Sequence, residues 1–167
     1  GDLEFLYPHG IAIDKHHRRI IIADTNNHRL VFLSSIDLSF LFSIGNQGSQ
    51  PGEFNSPSSI AIDHDRHRII VCDTENHRVQ VLSSIDGSFL FEFGSRGNQP
   101  CRFYNPHGLC TDHQGRIIVA NSYNNQLQAF THEGHHISSF DCGREKIFVV
   151  AFDEHRGLIA FSAGHRV

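Results

Sequence analysis

The strongest constraint on this chain is an internal repeat of 49 residues: Pro8-His9-Gly10-Ile11-Ala12-Ile13-Asp14 returns as Pro57-Ser58-Ser59-Ile60-Ala61-Ile62-Asp63 and again as Pro106-His107-Gly108-Leu109-Cys110-Thr111-Asp112. A fixed period of this length describes an array of similar units, none of which buries its apolar surface alone. The register extends further. Asp24-Thr25-Asn26-Asn27-His28-Arg29 recurs as Asp73-Thr74-Glu75-Asn76-His77-Arg78 and, altered, as Asn121-Ser122-Tyr123-Asn124-Asn125-Gln126. Phe5, Phe54 and Phe103 each precede their proline by three residues, and Gly45, Gly94 and Gly143 keep the same period. Val150-Ala151-Phe152-Asp153 opens a fourth unit, so the expected repeats run over about 8–56, 57–105, 106–146 and 147–167.

Each unit reads as β-structure. Ile69-Ile70-Val71-Cys72, matched by Ile20-Ile21-Ile22-Ala23 and Ile117-Ile118-Val119-Ala120, is an unbroken apolar run, the mark of a strand covered on both faces. A shorter Ile-Ala-Ile strand precedes it. Arg78-Val79-Gln80-Val81 follows, with an alternation that suits one polar face. Phe89-Leu90-Phe91-Glu92-Phe93 supplies a fourth strand before the glycine. Four short strands joined by turns rich in Asp, Asn, Gly, Ser and His make a propeller blade. The expected fold class is therefore all-β, a β-propeller of four-stranded antiparallel blades with three complete repeats and a partial fourth, an incomplete ring.

The motifs Pro-x-Gly-Ile-Ala-Ile-Asp, Ile-Ile-Val-x-Asp-Thr-x-Asn-His-Arg-Val-Gln-Val, Asp-Gly-x-Phe-Leu and Phe-Gly-x-x-Gly together resemble the NHL repeat, whose name-giving triplet stands here as Asn27-His28-Arg29 and Asn76-His77-Arg78. The resemblance covers nearly the whole chain. It implies a propeller that serves as a substrate- or RNA-binding platform, as in TRIM-NHL ubiquitin ligases. The same repeat also occurs in amidating lyases and bacterial receptor domains, and a shared fold does not choose among functions.

About six blades of this size need roughly 300 residues to close a ring, against the 167 present. Three readings follow: a piece of a larger propeller, two copies that complete one ring, or a very small four-bladed ring. We expect the first, with open blade edges that offer self-association.

Composition narrows the rest. Charged residues are 19%, hydrophobic residues 39%, and no run approaches the roughly 18 apolar residues of a membrane span. We expect a cytoplasmic protein with no membrane contact. Cys72, Cys110 and Cys142 occupy positions held elsewhere in the repeat by Ala23, Ala61 and Phe93, which predicts reduced, buried thiols. Cys101 stands where unit one has Gly52 and is the candidate reactive thiol. No close cysteine pair or carboxylate constellation supports a metal, and no cofactor is expected.

Antiparallel order sends the loop between units and the turn between second and third strands to one rim, and the two remaining turns to the other. The first rim collects Tyr7, His9, Asn26, Asn46, Gln47, Arg96, Arg102, Tyr104, His107, Tyr123 and Asn124. Of these, Tyr7, His9, Arg96, Arg102, Tyr104, His107, Tyr123 and Asn124 are the candidate partner-binding residues. Aromatics mixed with arginines suit either base stacking and phosphate contact or the anchoring of an extended peptide. The repeated Asp24, Asn27, His28, Arg29 and Asp73, Asn76, His77, Arg78 are assigned to structure instead, since every blade needs what every blade carries. The opposite rim holds Asp14-Lys15-His16-His17-Arg18-Arg19, Asp63-His64-Asp65-Arg66-His67-Arg68, Asp112-His113-Gln114-Gly115-Arg116 and Asp153-Glu154-His155-Arg156-Gly157: seven basic residues, six acidic and six histidines, near balance at neutral pH.

A net charge of −4 is no signature of a nucleic-acid binder. No G-x-S-x-G elbow is present, and the letters H-E-x-x-H occur only at His132-Glu133-Gly134-His135-His136, where no helix of useful length is expected. The expectation is a non-catalytic binding module, not an enzyme, that presents a loop rim to a protein substrate or RNA. Its parent would resemble a TRIM-NHL ubiquitin ligase whose transfer chemistry belongs to RING and B-box zinc modules. The alternative is part of a propeller lyase or hydrolase with His9 and His107 at a central channel.

Overall fold

The computed structural model describes residues 4–153 and 155–164. The first unit folds as β1 (Pro8–Asp14), β2 (Arg19–Asp24), β3 (Arg29–Ser34) and β4 (Phe40–Ile44), and the second as β5 (Pro57–Asp63), β6 (Arg68–Asp73), β7 (Arg78–Ser83) and β8 (Phe89–Phe93). The third contains β9 (Pro106–Thr111), β10 (Ile117–Asn121), β11 (Gln126–Phe130) and β12 (His136–Asp141), while β13 (Lys146–Asp153) and β14 (Leu158–Gly164) make a two-stranded fourth sheet. Strands pair in chain order within each sheet. The first strands β1, β5, β9 and β13 pack beside one another. This is an all-β propeller with three four-stranded blades and a partial fourth, and its sheets do not close into a ring.

Burial follows from which sheets are sandwiched. β6 and β10 lie between neighbours, and their apolar runs are buried on both faces. In β2 the burial alternates, because only one face of the first blade is covered by another sheet; Ile11 and Ile13 of β1 remain exposed. Wedges of side chains fill the joints. Phe93, Phe103 and Phe130 meet between the second and third blades with ring centres 4.8–6.3 Å apart. Phe54 takes the corresponding place between the first and second. Burying one such phenylalanine contributes about 1.5–3 kcal/mol.

Small residues set how closely the first strands approach. A Cβ at Gly10 would stand 2.6 Å from the Ser58 carbonyl oxygen, and one at Gly108 would stand 2.6 Å from that of Phe148. Glycine at these places lets backbone pack on backbone.

Hydrogen bonds then tie each blade to the next. The Thr25 hydroxyl donates to the Pro57 carbonyl at 2.8 Å, and Thr74 donates to Pro106 at 2.8 Å. Ser122 donates to Ile147 in the same way. The ring nitrogens Nδ1 of His28 and His77 accept the backbone N–H of Ser56 and Asn105 at 3.1 and 3.2 Å. At the other end of the blades, the Arg19 guanidinium reaches the Ser84 carbonyl and Arg68 reaches that of His132 at 2.7 Å.

One strand departs from its sequence pattern. Arg78 and Gln80, read as the polar face of β7, are both buried. The loop from the preceding blade covers them, and its carbonyls accept their hydrogens.

Candidate functional site

The turn between second and third strands is a single 3-10 turn in every full blade, closed by a residue in the left-handed region: His28, His77 and Asn125 at φ 53°, 55° and 54°. Asparagine tolerates that conformation well and histidine better than most side chains. In the second blade the buried Asp73 carboxylate is the hub. It accepts the Asn55 backbone N–H at 2.6 Å, Asn76 Nδ2 at 2.9 Å, Arg78 Nε at 2.7 Å and Gln80 Nε2 at 3.0 Å. Arg78 also donates to the carbonyls of Ser49, Gln50 and Glu53 and to the Glu92 carboxylate, so its fork is fully engaged with the loop 45–56. Asp24 repeats the plan with Leu6 N–H, Asn27 and Arg29.

The third blade solves the same problem without charge. Asn121 accepts the Tyr104 backbone N–H at 2.8 Å and donates Nδ2 to the Arg102 carbonyl at 2.9 Å. Gln126 stands where an arginine stood. Asn124, nominated as a binding residue, completes a structural series: its Nδ2 holds the Gly97 carbonyl at 2.7 Å, as Asn76 holds Gly48 and Asn27 holds Glu4.

With no turn arginine directed inward, the rim over the third blade carries outward cations and rings. The Arg96 guanidinium lies 5.2 Å from the Tyr104 ring centre, and Tyr104 stands 5.3 Å from Tyr123. Lys146, which sequence reasoning missed, places Nζ 3.7 Å from the Tyr123 ring centre. His77 meets the edge of Tyr104 at 5.7 Å. A cleft of about 270 Å³ between Arg96, Gly97, Asn98, Tyr104 and Asn124 opens beside this row. Burial, and secondarily the Arg96 charge, holds His77 below the usual imidazole range, which suits a ring nitrogen that accepts a hydrogen bond.

The structure divides the remaining nominated residues. His9 and His107 come together at the inner-strand mouth, 5.5 Å apart, with Phe148 edge-on to His107 at 5.4 Å. Burial, then the neighbouring His9, lowers the pKa of His107. Among the described residues, no carboxylate lines that opening, and the Ser58 hydroxyl beside it is engaged with Thr74 and the His107 carbonyl. Tyr7 is exposed on the first blade, apart from both clusters. The Arg102 side chain lies along Gly97.

The NHL repeat family model matches residues 5–31, 54–82 and 103–130, just over half of the chain. This chain belongs to the NHL-repeat proteins. No curated protein matches it. Among solved structures, it is similar to the RRP9 WD40 repeats (TM-score 0.72, 13% identity, covering 88% of this chain and 42% of that one) and to U3-55K (TM-score 0.72, 14% identity, 88% and 43%). It is also similar to the Kuenenia stuttgartiensis hydrazine synthase (TM-score 0.68, 16% identity, 91% and 41%). At these identities the likeness concerns the propeller fold alone, and the chain spans about four-tenths of each of those proteins.

The lower rim of the NHL blades is less evenly charged at its surface than the residue count implied. Asp14, Asp63 and Asp112 are buried beneath it, paired with Arg19 and His17, with Arg66, and with Arg116. Burial pushes the Asp14 and Asp112 carboxyls up, but hydrogen bonds from Arg19 and His17, and from Arg116 and its neighbouring backbone, outweigh it and hold both below the usual carboxylate range. His16 reaches across to His64 and His67 at 5.2 and 5.6 Å. Glu154 lies outside the described residues. Among those described, no three histidine, cysteine or acidic groups converge to hold a metal, and no helix is long and apolar enough to cross a membrane.

The thiols need correction: Cys110 and Cys142, expected to be buried, are only partly so. Cys72 is fully buried, and burial drives its pKa far up; Cys110 is pushed up to about 12 for the same reason. Cys101, read from sequence as the reactive candidate, packs partly against the core between the second and third blades. Its pKa is raised by that burial, which opposes thiolate reactivity.

Proposed function

We propose that this NHL propeller is a non-catalytic recognition module that binds a protein partner through the rim over its second to fourth blades. The observation that carries this reading is the row of exposed Arg96, Tyr104 and Tyr123 with half-exposed Lys146 beside an open cleft. Tyrosine and arginine are the residues that most often anchor protein interfaces, because each offers a large rigid surface with a polar tip. Their placement on loops above a rigid sheet array is where binding residues concentrate. The wider proposal is that the parent resembles a TRIM-NHL ubiquitin ligase, with this propeller selecting the target.

The test is capture of partners on immobilised chain, with Tyr104→Ala/Tyr123→Ala as the comparison and circular dichroism to confirm that the variant folds. Proteins retained by the wild type and lost by the folded variant support the reading. Equal retention by both removes this rim as the binding surface. Should RNA be retained instead, with affinity falling steeply between about 50 and 200 mM salt, the partner class is wrong.

A further inference from the structure

We propose that the Arg96–Tyr104–Tyr123–Lys146 row reads acidic side chains, carboxylate or phosphate, on an extended peptide. The inference rests on the rim assignment above and names the chemistry that the rim recognises.

Three observations point to an anion. Most arginines of the repeated turns and of the lower rim, among them Arg19, Arg29, Arg66, Arg78 and Arg116, are paired with a carboxylate; Arg18 and Arg68 are not among these pairs, and Arg68 is held by the His132 carbonyl. Arg96 and Lys146 have no such partner among the described residues; each lies over a tyrosine ring instead. Of three carboxylates on the neighbouring elements, one is paired with a cation and two accept neutral N–H groups. Glu75 accepts Asn105 Nδ2 at 2.8 Å, Glu92 accepts Arg78 at 2.7 Å, and Glu53 accepts the Gln50 N–H at 3.0 Å. Neither cation of the row is ion-paired to these carboxylates; Arg96 is exposed and Lys146 half-exposed.

The tyrosines favour a peptide over a nucleic acid. Each ring already has a cation over it and the other ring beside it. A nucleobase that stacks here has to displace one of them, giving up about 0.5–1 kcal/mol of cation–π attraction at an exposed site. An anion needs no displacement, because it meets the outward N–H groups and the phenol hydroxyls.

The row also sets a spacing. Consecutive separations of 5.2, 5.3 and 3.7 Å bring its two cationic ends no more than about 14 Å apart. An extended chain advances about 3.3 Å per residue and shows alternate side chains on one face. Two acidic residues two or four positions apart lie on the same face, about 7 or 13 Å from each other, and both spacings fall within that bound.

The chain contains no tryptophan and three tyrosines, two of them in this row, so tyrosine emission reports directly on the site. The probes are a nine-residue Ala/Ser peptide with glutamates at positions 3 and 7, its phosphoserine counterpart, its glutamine counterpart, and a nine-nucleotide oligouridylate, titrated into the 167-residue chain. Saturable change with the glutamate or phosphoserine peptide, and none with the glutamine peptide or oligouridylate, is expected. Comparing the two acidic peptides tells carboxylate from phosphate as the preferred group. Arg96→Gln with Lys146→Gln should weaken binding at least tenfold, whereas Arg18→Ala on the lower rim should leave it unchanged. Equal binding of the acidic and glutamine peptides, or saturable oligouridylate binding lost in Tyr104→Ala, overturns the proposal. Its failure is separable from that of the rim assignment. If Tyr104→Ala/Tyr123→Ala abolishes partner capture while the Arg96→Gln/Lys146→Gln variant captures normally, the rim stands and the acidic ligand falls.

Discussion

The second and third blades hold their neighbouring loops by opposite chemistry. Around Asp73 a buried carboxylate gathers four donors, and Arg78 threads its fork through the loop 45–56. Around Asn121 a neutral amide faces both ways, and the loop 94–105 is held by Asn121, Asn124 and Gln128, with His77 and Glu75 bonded to Asn105 at its end. A charged hub ties a loop down firmly but turns its arginine inward. A neutral hub leaves the loop's own arginine, Arg96, available to the outside. The degraded repeat is thus the blade where the recognition surface sits.

The largest test is Asp73→Ala. It takes the buried Asp73 partner from the Arg78 guanidinium, 7% exposed, and leaves it only the more exposed Glu92 carboxylate and the loop carbonyls, at a cost of up to about 3–5 kcal/mol for a broken buried pair. Urea unfolding monitored by circular dichroism reads this as a lower midpoint; an unchanged midpoint would remove the hub account. Asp24→Ala should cost less, about 1–3 kcal/mol, because Arg29 retains access to water at 21% exposure. The comparison is sharpened by grafting the third blade's solution into the second. Asp73→Asn with Arg78→Gln should be more stable than either single variant, since the pair is replaced together rather than broken. A double variant no better than Asp73→Ala means that the neutral hub works only in its own loop. Smaller again is Cys101→Gly. Cys101 holds φ 65° where unit one has Gly52 at φ 80°, and release from the left-handed region should stabilise by about 1 kcal/mol or less.

Last comes acid. The lowered carboxyls of Asp14 and Asp112 contribute stability that is complete above the unfolded carboxylate value, near pH 4, and is lost as pH falls through their lower folded values. Unfolding midpoints measured from pH 6 to pH 2 should decline below about 4, and Asp14→Asn should flatten that decline. A profile unaltered by the substitution would show that Asp14 is not among the groups responsible.

Much of the fold was legible because period and strand pattern are properties of single units. The triple recurrence of Ile-Ile-Val-type runs sufficed to place β2, β6 and β10, and antiparallel order sufficed to gather Arg96, Tyr104 and Tyr123 on one rim. What escaped depends on contacts between units. Gln80 reads as a solvent-facing residue of an alternating strand until the loop from the previous blade folds over it. Lys146 belongs to a different unit from Tyr123, and only the approach of β13 to the third blade brings them together. The meeting of His16 with His64 and His67 likewise follows from the angle between blades, which no repeat encodes. Counting Asp14, Asp63 and Asp112 among surface charges failed for a related reason: carboxylates at strand ends turn inward when arginines await them.

The hydroxyl bonds from Thr25, Thr74 and Ser122 all point forward, each from an earlier blade to the first strand of a later one. In a growing chain the donor therefore leaves the ribosome before its acceptor. Thr25 precedes Pro57 by 32 residues, which at ordinary synthesis speeds is roughly two to six seconds. Each blade thus carries the donor that receives the first strand of the next, an order of donor before acceptor that suits assembly in the direction of translation.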